Sequence, residues 1–178
     1  MTMKRALLPL VVLCGIALPI AFAASTDATT TLSDVHICCG SCVKGVATAI
    51  KPVTGVAATA DQAKGTIELS APDKATLQKG VDALTAAGYF GKSSNKDIKV
   101  DAATGAKDGK VKTLEIDGVH LCCGSCVTAV KDVLSKVDGV KSDTVKAKAT
   151  SFTVEGDFEP KAIFDGLQKA GLTGKAKQ

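Results

Sequence analysis

Apolar residues recur at helical spacing in two segments of the chain, each of which follows a cysteine-rich stretch. The first stripe consists of Val43, Val46, Ala47 and Ile50, and the second of Val127, Val130, Leu134 and Val137. Residues three and four positions apart share one face of an α-helix, so each stripe predicts an amphipathic helix. Gly55 and Gly139 follow the two stripes and predict where these helices end.

The segments around these helices predict strands and a second pair of helices. Apolar and polar residues alternate over residues 30–35, 56–60 and 66–70, and again over 112–118, 140–145 and 151–155, which predicts six strands. The second helices carry apolar faces formed by Leu77, Val81 and Leu84 in the first half and by Ile163, Phe164 and Leu167 in the second. Gly88 and Gly171 are predicted to cap these helices at their C-termini.

The two halves of the chain repeat one another. Val-His-Ile-Cys-Cys-Gly-Ser-Cys-Val at positions 35–43 recurs as Val-His-Leu-Cys-Cys-Gly-Ser-Cys-Val at 119–127, an offset of 84 residues. The order strand, helix, strand, strand, helix therefore occurs twice, and a final edge strand is predicted at 89–92 or 97–100 in the first half and within 172–178 in the second. The predicted fold class is α+β, with two tandem ferredoxin-like βαββαβ sandwiches after a cleaved signal peptide.

The amino-terminal residues have the pattern of a secretory signal peptide. Lys4 and Arg5 precede an apolar run over residues 6–22, and small residues at 21 and 23 predict cleavage after Ala23. This predicts a secreted or periplasmic protein without stable membrane insertion after cleavage. The predicted organisation is a signal peptide over 1–23, a leader over 24–29, a first domain over 30–92, a linker over 93–111 and a second domain over 112–178.

Composition and charge exclude several classes of function. The chain has 22 basic and 18 acidic residues and a net charge of +4, with both signs scattered, so no nucleic-acid-binding patch is predicted. RNA-recognition domains share this element order, but they stack bases on aromatic residues of central strands, and residues 66–69 contain none. Six of the 7 cysteines lie in two clusters of three, whereas a disulfide framework would spread them along the chain.

Each cysteine cluster lies in a His-x-Cys-Cys-Gly-Ser-Cys loop that opens onto the start of a helix. Unpaired N–H groups and the dipole at a helix N-terminus favour the thiolate, which is the form that binds metals. Soft thiolates select Cu(I), Hg(II), Zn(II) or Cd(II) over hard cations. The candidate metal ligands are Cys39, Cys42, Cys38 and His36 in the first loop, and Cys123, Cys126, Cys122 and His120 in the second. We expect separate ligand sets that hold one ion per domain.

Both halves resemble the heavy-metal-associated domain. The shared features, in chain order, are a strand, a Cys-x-x-Cys followed by Val, an amphipathic helix, Gly-Val, two strands and a helix that ends in Ala-Gly. The resemblance implies a βαββαβ fold and transient binding of soft metals, as in copper chaperones, modules of metal-transporting ATPases and the periplasmic mercury-binding protein. It assigns the family's ligand pairs to Cys39, Cys42, Cys123 and Cys126.

This sequence lacks the Gly-Met that usually precedes the family's cysteine pair. Counting back from the cysteines puts Ile37 and Leu121 at the Met position. Counting forward from the strand matches Gly118-Val119 to Gly-Met instead, and the first half then has Asp34-Val35 there. The two alignments differ in whether the loop is longer than the family's. They therefore leave open whether the histidine and the first cysteine of each loop point towards the metal.

These features together predict a non-enzymatic, exported carrier, scavenger or chaperone of soft metal ions, with Cu(I) favoured and Hg(II) or Zn(II) as alternatives. The expected partners are the ion and a metal-transporting membrane protein or another thiol-rich carrier. Two further hypotheses remain. One is a thiol–disulfide redox protein, because Cys-x-x-Cys at a helix start also lowers a thiol pKa. The other is a structural module whose clusters form disulfides.

Overall fold

The computed structural model describes residues 27–177, which form two units with the same order of elements. The first unit contains β1 (Ala28–Ser33), α1 (Gly40–Ile50), β2 (Ala57–Asp61), β3 (Thr66–Ala71), α2 (Lys74–Ala86) and β4 (Lys92–Ser93). The second contains β5 (Val111–Asp117), α3 (Gly124–Leu134), β6 (Val140–Asp143), β7 (Ser151–Phe158), α4 (Pro160–Lys169) and β8 (Lys175–Ala176). The predicted signal peptide, and residues 24–26 of the predicted leader, lie outside the described residues.

Each unit has a four-stranded antiparallel sheet, with the strand orders β2-β3-β1-β4 and β6-β7-β5-β8. The first and third strands of each unit lie in the centre, which is the ferredoxin-like βαββαβ arrangement, so the two predicted α+β sandwiches are confirmed. The fourth strands are short. In the first unit, β4 overlaps the end of the predicted segment 89–92, so residues 97–100 do not form the fourth strand. In the second unit, β8 lies within the predicted segment 172–178.

The second helices bury the faces that their sequences predict, since Leu77, Val81 and Leu84 in α2 are fully buried. The stripe predicted for α1 is rotated, however. Cys42, Val46 and Ile50 are its buried residues, whereas Ala47 is exposed. The buried face of this helix therefore begins at a cysteine one turn before Val46, because sulfur packs there as an apolar group would. None of the helices within residues 27–177 is long and apolar enough to cross a bilayer.

The predicted linker over 93–111 is packed against the first unit along part of its length. Ser93 belongs to β4, and the side chain of Ile98 is only 4% exposed. The backbone of Lys99 both donates to and accepts from the side-chain amide of Gln78 in α2. Residues 94–100 thus extend the first unit beyond its last strand.

The two units are joined directly by backbone hydrogen bonds near the ends of α2 and α4. Tyr89 and Leu172 form an isolated antiparallel bridge, and the N–H of Thr173 donates to the carbonyl of Gly88 at 3.0 Å. A Cβ atom on Gly88 would lie 2.4 Å from the backbone N of His120, and one on Gly171 would lie 2.4 Å from the backbone N of His36. Gly88 and Gly171, the two predicted caps, have positive φ. Because they have no Cβ atom, each unit can also approach the cysteine loop of the other.

Candidate metal centre

The three cysteines of each loop lie at the N-terminus of a helix. Cys39 and Cys123 are the residues before α1 and α3, and their extended backbone turns the chain into the helix. Cys42 and Cys126 lie in the first helical turn and are fully buried. The N–H groups of a first turn have no partner within the helix, so both loops present donors and positive dipole ends to their own sulfur atoms.

The six sulfur atoms converge on one site between the two units. Sγ of Cys38 lies 3.4 Å from Sγ of Cys123 and 3.6 Å from that of Cys126, both in the other unit. Sγ of Cys42 lies 3.4 Å from that of Cys122, which in turn lies 3.7 Å from that of Cys39. The expectation of separate ligand sets is therefore wrong, because the interface brings the two loops into sulfur–sulfur contact.

Two sets of four thiols have ligand atoms close enough together to hold an ion. Sulfur atoms within each set all lie within 4.8 Å of one another. The two sets are Cys38, Cys39, Cys42 and Cys122, and Cys38, Cys122, Cys123 and Cys126. All six cysteines of residues 27–177 are free thiols that belong to this cluster. Each set contains thiols from both units, so a complete four-sulfur site requires the interface.

The helix starts divide the thiols into two electrostatic classes. The backbone N–H groups of Cys126 and Ser125 lower the pKa of Cys123 to about 6, and those of Cys42 and Ser41 lower the pKa of Cys39. Burial, followed by contact with neighbouring sulfurs, raises the pKa of Cys38 and of Cys122.

Burial also raises the pKa of Cys126. In the metal-free protein, the thiolate form is therefore favoured at the two cysteines that precede the helices, and most strongly at Cys123. A metal ion that binds Cys38, Cys122 or Cys126 must displace the proton of that thiol.

The two predicted histidines lie beside the cluster and belong to neither four-sulfur set. The buried hydroxyl of Tyr89 donates to the carbonyl of Cys42 at 2.8 Å and lies 3.1 Å from Nε2 of His120. Because the hydroxyl proton is donated to the Cys42 carbonyl, the hydroxyl oxygen accepts a hydrogen bond from Nε2–H of His120. The neutral imidazole of His120 therefore has no proton on Nδ1. Nε2 of His36 is buried and has no hydrogen-bond partner among the described residues. Burial lowers the pKa of both imidazoles, and their predicted role as ligands stays a prediction.

The difference between the two histidines comes from two positions at which the repeats differ. Leu172 takes the place of Tyr89 in the second unit and offers no hydroxyl. Gly45 in α1 corresponds to Ala129 in α3, and a Cβ atom on Gly45 would lie 2.2 Å from the Tyr89 hydroxyl oxygen. The glycine thus makes room for the tyrosine. The paired mismatch between the repeats, Gly45 with Tyr89 against Ala129 with Leu172, is the signal in the sequence for this contact.

The second unit matches a known protein family. Residues 113–173 match the family model of the heavy-metal-associated domain. The predicted resemblance is confirmed for that segment, which contains the second cysteine loop, and it stays a prediction for the first unit.

Two curated relatives come from Arabidopsis thaliana. "Copper transport protein CCH" is 42% identical over 53 residues, which cover 30% of this chain and 44% of the relative. "Heavy metal-associated isoprenylated plant protein 36" is 36% identical over 53 residues, which cover 30% of this chain and 15% of that protein. The chain thus spans less than half the length of either relative.

Among solved structures, the N-terminal soluble domains of Bacillus subtilis CopA are similar, with 18% identity and a TM-score of 0.31. That match covers 86% of this chain and 95% of the CopA chain.

Proposed function

We propose that this protein binds soft metal ions at the six-sulfur site and passes them to a partner by ligand exchange, with Cu(I) as the favoured cargo. The observation that carries the proposal is the convergence of six free thiols between two helix N-termini. The family match over residues 113–173 and the copper transport protein among the relatives support it. Hg(II) and Zn(II) accept the same thiolate ligands and are the alternative cargoes.

Ligand exchange requires that an incoming thiolate can reach the bound ion. Cys39 and Cys123 are partly exposed, whereas Cys42 and Cys126 are fully buried. A cysteine of the partner therefore displaces the exposed thiolates first, and metal–sulfur bonds are replaced one at a time. This carrier role needs no bond-making catalysis, so we do not assign an enzymatic activity. A metal-transporting membrane protein or another thiol-rich carrier has the chemistry expected of the partner.

The proposed place of action is outside the cytoplasm, in the periplasm or the surrounding medium. The charged start, the apolar run and the small residues at positions 21 and 23 support this. Mass spectrometry of the protein isolated from its native host tests it, and we expect a mature chain that begins at Ala24. An intact chain that begins at Met1 in a cytosolic fraction would contradict the export proposal without affecting the metal site.

An anaerobic competition titration tests metal binding. Reduced protein is titrated with Cu(I) in the presence of a chromogenic Cu(I) chelator, and we expect the protein to withdraw copper from the chelator. The double variant Cys42→Ser/Cys126→Ser should weaken binding by at least about tenfold, because it removes one thiolate from each four-sulfur set. The matched control is Ser41→Ala/Ser125→Ala, which changes exposed residues of the same loops and should bind as the wild type does.

The same titration separates the carrier from a thiol–disulfide redox protein. That alternative is favoured by one observation, the lowered pKa of Cys39 and Cys123 in direct contact with other sulfurs. A folded, fully reduced protein that leaves all Cu(I) with the chelator would end the carrier proposal. A reduction potential within the range of thiol oxidoreductases, measured on the same sample, would then support the redox role.

A further inference from the structure

Cys38 and Cys122 occupy a special place in the sulfur cluster, because each of them belongs to both four-sulfur sets. The other four cysteines belong to one set each. Cys39 and Cys42 complete the first set, and Cys123 and Cys126 complete the second. The two sets thus have the topology of two polyhedra that share one edge, and the cysteines of this edge come from different units.

Several of the sulfur–sulfur distances match those of a tetrahedron around a metal ion, and all distances within each set are at most 4.8 Å. Four sulfur atoms at about 2.3 Å from a central ion lie about 3.8 Å apart. In the first set, Sγ of Cys42 lies 3.5 Å from that of Cys38, 3.9 Å from that of Cys39 and 3.4 Å from that of Cys122. A linear two-sulfur ion would instead need its ligands roughly 4.6 Å apart. The thiols are therefore spaced for ions with three or four sulfur ligands.

The second set has the same spacing. Sγ of Cys126 lies 3.6 Å from that of Cys38 and 3.6 Å from that of Cys122, and Sγ of Cys123 lies 3.4 Å from that of Cys38. Neither set is favoured by its distances, so a single ion would choose between two similar sites. It would also leave at least two of the six thiols without a metal.

We infer that the six cysteines hold two soft metal ions in one cluster, in which Cys38 and Cys122 are bridging thiolates; the inference rests on the proposed soft-metal function. Two ions across a shared sulfur edge would lie roughly 3 Å apart. Each ion has two terminal cysteines from one unit, and the bridges tie that unit to the other. The cluster is therefore also a metal-dependent clamp between the two units.

Charge balance supports two ions over one. Six thiolates around one divalent ion leave a formal charge of about −4, whereas a second divalent ion reduces this to about −2. The N-termini of α1 and α3, each with roughly half a positive charge, both open onto the sulfurs and offset part of the remainder. A second soft ion of either charge thus lowers the negative charge of the cluster, and a divalent ion such as Hg(II) or Zn(II) lowers it more than Cu(I) does.

Cadmium-113 NMR of the reduced protein tests the inference directly. Cd(II) is a soft ion that prefers thiolates, and two cadmium nuclei that share a sulfur ligand are scalar-coupled through it. We expect two Cd(II) bound per chain and two resonances that split one another. Two ions with uncoupled resonances, or a single bound ion, would overturn the shared cluster while the soft-metal function stands. If no Cd(II) or Cu(I) binds to the folded protein, both proposals fail.

Two matched double variants distinguish bridging from terminal cysteines. Cys38→Ser/Cys122→Ser and Cys39→Ser/Cys123→Ser each remove one thiol per unit and leave four. We expect the first to abolish the coupling, because both bridges are lost, and the second to retain it. Circular dichroism of the metal-free variants checks that each folds. Coupling that survives loss of both bridging cysteines would contradict the assignment, and the wild-type spectrum remains decisive if a variant does not fold.

Discussion

The hydroxyl of Tyr89 lies 3.1 Å from Nε2 of His120, and it donates a 2.8 Å hydrogen bond to the carbonyl of Cys42. The two rings are also in contact, with centroids 4.5 Å apart. A single buried side chain thus connects the cysteine loop of its own unit with the loop of the other. This contact has no counterpart at the equivalent position of the second unit, where Leu172 follows the helix.

Tyr89→Phe should destabilise the protein, because it removes a hydrogen bond to the Cys42 carbonyl and leaves the buried Nε2 of His120 without its partner. A buried polar group that loses its hydrogen bond costs about 1 to 3 kcal/mol. The free energy of unfolding, measured by urea denaturation of the reduced, metal-free protein, should fall by that amount. The control is Thr48→Val, which removes an exposed hydroxyl from α1 and should change stability by less than about 0.5 kcal/mol. Equal effects of the two substitutions would show that the Tyr89 contacts contribute nothing.

Gly45→Ala should destabilise the protein, although glycine in a helix is normally about 1 kcal/mol worse than alanine. Its Cβ atom would lie 2.2 Å from the Tyr89 hydroxyl oxygen and 2.8 Å from Cε1 of His120. Tyr89 is fully buried, and a shift of its hydroxyl away from Gly45 would disturb the hydrogen bonds to Cys42 and His120. Gly124→Ala is the control, because a Cβ there meets nothing within 4 Å.

The double variant Gly45→Ala/Tyr89→Leu reproduces the pair that the second unit has at Ala129 and Leu172. We expect it to be more stable than the sum of its single substitutions predicts, because the leucine removes the clash. The coupling free energy from the double-mutant cycle measures this effect. Strictly additive effects would show that Gly45 and Tyr89 do not constrain one another.

Gly88→Ala should separate the two units. Gly88 has a φ of +87°, and its new Cβ would lie 2.4 Å from both the Gly118 carbonyl oxygen and the His120 backbone N. Gly109 has nearly the same φ, +88°, but a Cβ there meets nothing within 4 Å. Both variants incur about 1 to 2 kcal/mol for the left-handed backbone, so the difference between them isolates the clash at the interface.

Small-angle X-ray scattering of the metal-free protein provides the second measurement for this pair. The radius of gyration should increase for Gly88→Ala and stay unchanged for Gly109→Ala. If both variants keep the radius of the wild type and lose the same stability, the close approach of the units at Gly88 is not required for their association.

The pKa values predict which thiol of the second loop reacts first in the reduced, metal-free protein. The pKa of Cys123 is about 6, whereas that of Cys122 is raised by burial and sulfur contacts. The lowered value means that Cys123 is mostly thiolate at pH 7 and becomes protonated as the pH falls below about 6, whereas Cys122 stays a thiol. Alkylation with iodoacetamide, followed by peptide mass spectrometry, should label Cys123 well before Cys122 at pH 7. Equal rates for these adjacent cysteines would contradict the assignment.

Local patterns in the sequence were sufficient to predict most of the elements. The faces of α2 and α4 were predicted correctly because Leu77, Val81 and Leu84, like their counterparts, have no role other than packing. The face of α1 was predicted with an error, because Cys42 was treated only as a ligand and not as part of the buried stripe. The fourth strands are two residues long, and their position depends on pairing with β1 and β5, which no local pattern records.

The sequence by itself determined two βαββαβ units and two loops whose thiols lie at helix starts, because period, capping and motif spacing are properties of neighbouring residues. Only the tertiary structure decided that the loops form one site. That outcome depends on the close approach at Gly88 and Gly171, residues far from the cysteines in the chain, and on backbone bonds between units. Contacts across an interface follow from the shapes of two folded surfaces, so the change from two separate ligand sets to one shared cluster could not be derived from either loop alone.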